Sequence, residues 1–124
     1  MKIFIVDDNE NFRQRLKLFL EGHLNHKVTG EASSGREFIE NPDLNAEIIL
    51  MDISMPELNG IETAKRVLWK HNNLKIIALS QYDELADLES LIGAGYKGFV
   101  SKTNLYRDLE AAIEVVASGE LFFE

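Results

Sequence analysis

Five side chains in this sequence have types and placements that suit chemistry on a phosphoryl group. Asp7 and Asp8 directly follow the apolar run Ile3-Phe4-Ile5-Val6, and Asp52 follows Ile48-Ile49-Leu50-Met51. Ser80 follows Ile76-Ile77-Ala78-Leu79, and Lys102 stands just past Gly98-Phe99-Val100. Carboxylates brought close together repel and raise each other's pKa. A hard divalent cation relieves that conflict. Mg²⁺ takes oxygen ligands, keeps some waters and often uses phosphate oxygens. Three carboxylates without His or Cys favour Mg²⁺, or Mn²⁺ in its place, over zinc. A nucleophilic carboxylate can then attack phosphorus while cation, hydroxyl and ammonium neutralise the equatorial oxygens. Asp52 is the better nucleophile, because Asp7-Asp8 is the pair suited to holding metal. Each residue also has a plainer reading. Asp7-Asp8 could favour a helix N-terminus, Ser80 could be a turn residue and Lys102 a solvated lysine.

What favours the joint reading is the elements that must position these residues. Short apolar runs alternate with helical periods. Strands are expected at Lys2–Val6, Lys27–Ala32, Ala46–Met51, Leu74–Leu79 and Gly98–Val100. The third and fourth are apolar on successive residues, as in a parallel sheet covered on both faces. Phe12, Leu16, Phe19 and Leu20 form one helical stripe, and Leu105, Leu109, Ala112, Ile113 and Val116 another. Ile61, Ala64, Val67 and Leu68 make a third, and Leu85, Leu88, Leu91 and Ile92 a fourth. A short helix fits Arg36–Asn41. Ser34-x-x-Glu37 and Asn59-x-x-Glu62 resemble capping boxes, and Pro42 and Gly95 are stops.

The order βαβαβαβαβα with right-handed crossovers gives an α/β, flavodoxin-like doubly wound (βα)5 fold, a parallel five-stranded sheet of order 2-1-3-4-5. In such sheets ligands bind at the carboxyl ends of the strands, beside the switch in strand order. Strands 1 and 3 flank that switch. The acids, Ser80 and Lys102 therefore converge on one edge.

Composition limits the alternatives. The 124 residues suit one domain, 1–124, able to bury roughly two-thirds of its unfolded surface. There is no cysteine, hence no disulfide framework or thiolate metal site. No apolar run reaches the ~18 residues of a membrane span. The opening Met1-Lys2 and its apolar run are too short for a signal peptide, so a cytoplasmic location is expected. Net charge is −8. Residues 1–62 carry 6 basic and 12 acidic side chains, against 7 and 9 in the rest, so the acid excess sits with Asp7, Asp8 and Asp52. Direct nucleic acid binding needs a clustered basic patch. The nearest candidate, Lys65, Arg66, Lys70 and His71, reads as the solvated face of one helix. His23 and His26 lack a third metal ligand. Trp69 reads as a half-buried helix residue. Leu121, Phe122 and Phe123 follow a helix stop and either fold back on the core or begin a connection at 118–124.

Asp7-Asp8, the segment Asp52-Ile53-Ser54-Met55-Pro56-Glu57-Leu58-Asn59-Gly60, Ser80, and Gly98-Phe99-Val100-Ser101-Lys102 together resemble the response-regulator receiver family of two-component signalling. The resemblance covers essentially the whole chain. It implies that Asp52 accepts a phosphoryl group from a histidine kinase or phosphotransfer protein. It implies Mg²⁺ on Asp8, Asp52 and the backbone carbonyl of Ser54, with Asp7 assisting through water. Lys102 would pair with the phosphoryl group, Ser80 would swing toward it, and Phe99 would turn inward in step. The surface of the fourth helix, fifth strand and fifth helix would then change. Such a chain is a switch rather than a turnover enzyme.

Two departures stand out. The family usually has Lys-Pro where this chain has Lys102-Thr103; without proline the bond is expected to be trans. Phe99 replaces a frequent tyrosine. Lys102-Thr103 and Ala117-Ser118-Gly119-Glu120 also resemble regulators with a C-terminal LuxR/NarL-type helix-turn-helix. That implies transcriptional output through a further domain, with homodimerisation on phosphorylation; the alternative is a stand-alone receiver acting by protein contact. A flavin carrier of the same topology would need a hydroxyl- and glycine-rich loop after strand 1, where this chain has Asp7-Asp8-Asn9-Glu10. A haloacid-dehalogenase-type phosphatase wants Asp-x-Asp there, whereas these acids are adjacent.

Overall fold

The computed structural model describes residues 1–81 and 87–123. Leu85, counted in the fourth helical stripe, lies outside them. In chain order the elements are β1 (Lys2–Val6), α1 (Glu10–Gly22), β2 (Lys27–Ala32), α2 (Gly35–Glu40), β3 (Ile48–Asp52), α3 (Gly60–Lys70), β4 (Ile76–Ser80), α4 (Leu88–Ala94), β5 (Gly98–Ser101), a 3-10 turn (Lys102–Asn104) and α5 (Leu105–Ala117). The strands form one parallel sheet of order β2-β1-β3-β4-β5.

Side chains on a strand alternate between faces, and here both faces are apolar. Phe4, Val6, Ile49, Met51, Ile76 and Ala78 point to one side, against Phe38 of α2, Val67 of α3 and Leu91 of α4. Ile3, Ile5, Ile48, Leu50, Ile77 and Leu79 point to the other, against Leu16 and Leu20 of α1 and Leu109 and Ile113 of α5. Each of the larger side chains among them contributes about 1.5–3 kcal/mol on burial.

β3 and β4 start two residues later than expected and each end one residue further on. Asp52 and Ser80 are therefore the last residues of their strands, held in register with Leu79 and Ser101. Helix starts follow the caps. The Ser34 hydroxyl accepts the Glu37 N–H at 3.0 Å, and Asn59 Oδ1 accepts the Glu62 N–H at 2.9 Å. The Glu37 carboxylate returns to the N–H of Ser33 rather than Ser34. Gly95, at φ +100°, ends α4 in a left-handed turn, where its N–H donates to Ile92 O and the Tyr96 N–H to Leu91 O.

Three expectations are corrected or resolved. Trp69 is 88% exposed rather than half-buried. α3 buries Thr63, Ala64 and Val67, and position 69 falls on the opposite side. The fourth stripe is only partly buried: Leu91 is in, with Ala94 beside it, whereas Leu88 and Ile92 are exposed. The tail folds back. The Phe122 N–H donates to Lys97 O at 3.0 Å and the Phe99 N–H to Phe122 O at 2.8 Å, a short parallel bridge covering the open side of β5. Of the basic stretch on α3, Lys65, Arg66 and Lys70 are solvated and His71 is half-buried. No helix among the described residues is long and apolar enough to cross a membrane.

Candidate functional site

Asp7 and Asp8 part company at the end of β1. Asp7 is fully buried and Asp8 exposed. The backbone of Asp7 is pinned twice, its N–H donating to Ala32 O at 3.1 Å and its carbonyl accepting Arg13 Nη1 at 2.6 Å. Its carboxylate is held on both oxygens: Oδ1 accepts the Asn9 N–H at 2.9 Å and Oδ2 the Lys102 ammonium at 2.8 Å. Helix α1 is capped not by these acids but by Asn9, whose Oδ1 accepts the Phe12 N–H at 3.0 Å. The plainer reading of Asp7-Asp8 as cap residues therefore fails.

Lys102 is no surface lysine. Its side chain is 8% exposed. The ammonium lies 2.8 Å from Asp7, 3.6 Å from Asp52 Oδ1 and 4.1 Å above the Phe12 ring. Asp52 itself is buried. Asp7, Asp8 and Asp52 each place a carboxylate oxygen within 4.8 Å of the others, the only group of metal-ligating side chains so placed among the described residues. His23 and His26 do not join one: His23 packs on Phe19, and His26 Nδ1 lies 3.2 Å from the Met1 amino group.

Charge decides what the cluster can hold. Among the described residues three carboxylates, two of them buried, face one ammonium, and buried charge is costly unless compensated. A divalent cation restores the balance. The three carboxylate oxygens, all within 4.8 Å of one another, could be shared by one hard cation. The donor set therefore fits a hard cation.

Ser80 is fully buried, and its hydroxyl donates to the Gln81 carbonyl at 2.9 Å. Phe99 is half-buried against the core on the α3 and α4 side. Ser54 is exposed. Beyond it the chain makes a tight turn, with the Leu58 N–H donating to Pro56 O at 2.8 Å and Glu57 at φ +68°. Every described peptide bond is trans, Lys102–Thr103 included. A cleft of about 310 Å³ lined by Phe12, Arg15, Gln81, Lys102, Thr103, Leu105 and Tyr106 opens beside the lysine. A larger apolar groove of about 550 Å³, lined by Arg15, Leu18, Phe19, His23 and Tyr106, contains none of the acids.

One neighbour of the site was not legible from spacing. Tyr96, between α4 and β5, is 1% exposed. Burial, and then the charge of Asp52, push its phenol far above the ordinary tyrosine value. Gly60 makes room for it. A Cβ there would stand 2.3 Å from the Asp52 carbonyl oxygen and 2.6 Å from the tyrosine hydroxyl. The signal that could have found Tyr96 is its place one residue past a glycine helix stop, where an apolar side chain commonly packs back on the helix.

The sheet order and the acidic edge define a flavodoxin-like α/β protein built around a carboxylate-lysine site. Residues 3–114 match the family model of the response regulator receiver domain, and the chain belongs to that family. It is 37% identical over 117 residues to the transcriptional regulatory protein YdfI of Bacillus subtilis, covering 90% of this chain and 54% of that protein. It is 30% identical over 125 residues to the response regulator protein VraR of Staphylococcus saprophyticus, covering 100% of this chain and 60% of VraR. The isolated receiver domain of RcsB from Salmonella enterica serovar Typhimurium, solved with the phosphomimetic BeF3⁻, superposes with TM-score 0.85 at 27% identity, covering 100% of this chain and 93% of that one. The chain thus spans little more than half the length of the curated relatives it matches. As a receiver domain it is a signalling module rather than a turnover enzyme.

Proposed function

We propose that Asp52 is the phosphoryl acceptor of a two-component switch, and that residues 1–124 form its single receiver domain. The observation that carries this reading is the Lys102 ammonium, buried between Asp7 and Asp52. An oxygen of Asp52 attacks the phosphorus of a phosphohistidine on a kinase or phosphotransfer protein. The P–N bond breaks, its electron pair returns to the imidazole, and an acyl phosphate remains. Lys102 is already 3.6 Å from Asp52, so it needs little rearrangement to meet a phosphoryl oxygen. Ser80, one strand over, offers a hydroxyl that turns from the Gln81 carbonyl toward the same group. Asp8 and Asp52, with the Ser54 carbonyl and with Asp7 through water, would hold Mg²⁺ or Mn²⁺, which when bound screens the carboxylates from the incoming oxygens. Asp7, already engaged by Lys102, is the less direct ligand of the pair.

Output follows from where Ser80 and Phe99 lie. A change at Ser80 reaches Phe99 of β5, and from there the surface of α4, β5 and α5. YdfI, a longer chain, is a transcriptional regulatory protein, and a further RcsB structure contains two dimers bound to two parallel DNAs. In this reading the full protein carries a C-terminal DNA-binding domain, dimerises on phosphorylation and works in the cytoplasm, while the receiver itself touches no nucleic acid.

The test is intact mass after incubation with acetyl phosphate and Mg²⁺. Wild type gains about 80 Da, one phosphoryl group, and Asp52→Ala gains nothing. Equal labelling of the variant would remove Asp52 from the role.

A further inference from the structure

Tyr96 is a buried hydroxyl without a use in the scheme above. Its oxygen is fully enclosed and has no hydrogen-bond partner among the described residues. Such a group carries the desolvation penalty of an unmade bond. Its ring is fixed from behind, because the Tyr96 N–H closes the α4 turn on Leu91 O and the Lys97 N–H donates to Ile76 O of β4. Its hydroxyl end reaches the back of the acceptor. Both it and the Asp52 carbonyl oxygen lie within 2.6 Å of the point where a Gly60 Cβ would stand, so the two face each other across a glycine. The phenol is held protonated, by burial first and by the charge of Asp52 second. It is therefore a donor aimed at the peptide of the residue that takes the phosphoryl group.

Resting on the assignment of Asp52 as acceptor, we propose that Tyr96 is a positioning residue of this site, its hydroxyl donating to the Asp52 backbone carbonyl once Asp52 is phosphorylated. Phosphorylation raises the negative charge on Asp52 toward −2 and loads the β3–α3 segment with a new ligand. A small shift of that segment brings the carbonyl to a donor already in place. The unmade bond penalises the resting state, and the made bond favours the phosphorylated one. A group that interacts differently with two states shifts the balance between them. Tyr96 thus ties the base of β5, three residues before Phe99, directly to the acceptor strand, behind the Ser80 route rather than through it.

Tyr96→Phe removes only the oxygen and keeps the packed ring. Beryllofluoride with Mg²⁺ serves as the phosphoryl mimic, and three quantities are read on the 124-residue chain: the unfolding midpoint without mimic, the mimic's dissociation constant, and the tyrosine ultraviolet difference spectrum on its addition. The variant should be as stable as wild type or more so without mimic. It should bind beryllofluoride about five-fold more weakly, the worth of one hydrogen bond, and lose most of the difference signal. A lower midpoint without mimic would mean the hydroxyl is already partnered at rest and would overturn the proposal. Equal affinity and an unchanged difference spectrum would overturn it too, while leaving Asp52 as acceptor intact. Wild type that binds no beryllofluoride would instead overturn the assignment of the site, and the role of Tyr96 with it.

Discussion

The two flanks of the sheet are built to different standards. On the α1 and α5 flank every expected stripe residue except Phe19 is buried: Phe12, Leu16 and Leu20 on one helix, and Leu105, Leu109, Ala112, Ile113 and Val116 on the other. This flank also carries the fixed parts of the site. Phe12 lies under the Lys102 ammonium, and Arg13 braces the Asp7 carbonyl. On the other flank α4 is short, buries only Leu91 and Ala94, and leaves Leu88 and Ile92 exposed. Low local stability is what a moving element requires. The contrast suggests a division of labour, in which the packed flank holds the chemistry still and the α4 flank is cheap to rearrange.

The largest expected effect tests that contrast directly. Leu16→Ala removes a side chain with no exposed surface and should lower stability by about 4 kcal/mol. Ile92→Ala, at a half-exposed position, should cost less than about 0.5 kcal/mol. Urea unfolding of both variants gives the comparison; similar losses would mean that α4 is as firmly packed as α1. Next comes Lys102→Ala. Removing the ammonium leaves Asp7 and Asp52 buried without their cation, a loss of about 3 kcal/mol. Millimolar Mg²⁺ should return part of it, since a ligand that binds only the folded state stabilises it. A variant indifferent to Mg²⁺ would show that the three carboxylates are not a cation site.

Much of this was legible in the sequence because the signals are local. Successive apolar residues in β3 and β4 announce a sheet buried on both faces, and Ser34 and Asn59 mark helix starts by chemistry that needs no tertiary context. The acids and Lys102 were legible because strand order carries distant positions to one edge. What escaped depends on direction and neighbours. Adjacent letters conceal that Asp7 turns inward and Asp8 outward. The exposure of Trp69 reflects its angle from Val67 on α3, which outweighs the hydrophobicity of indole. Leu88 and Ile92 have the period of a buried stripe, but α4 turns only Leu91 and Ala94 into the core. Tyr96 sits between the Gly95 stop and the strand at Gly98, a place that shows no burial until the left-handed turn at Gly95 is seen and the ring is found in the core.

A smaller effect concerns motion rather than total stability. Under beryllofluoride and Mg²⁺, amide exchange should change in α4 and β5, from Leu88 to Ser101, more than in α1. The reason is that Ser80 and Phe99 lie on the flank whose helix is weakly held. Changes confined to α1 and α5, with α4 untouched, would reverse the division of labour and move the output face to the packed flank.

The smallest effect lies at the opposite edge of the sheet, where the packed flank has a titratable weak point. His26 is held below the ordinary imidazole value, first by burial and second by the Met1 amino group beside its Nδ1, while Glu110 and Glu114 on α5 and Glu47 before β3 pull the other way. The folded protein therefore favours neutral His26 more than the unfolded chain does. Stability from this residue is present above the unfolded value of about 6.5 and is lost as pH falls through the folded value. The amount is modest, because the ring is only partly enclosed and three carboxylates oppose the shift. Comparison with His26→Gln isolates it, since the other titrating groups are common to both proteins. The stability advantage of wild type over the variant should shrink between about pH 7.5 and about pH 5.5, either side of the imidazole pKa. An advantage that grows on acidification would mean that the glutamates dominate, and that α5 is clamped to the start of β2 by a charged histidine rather than a neutral one.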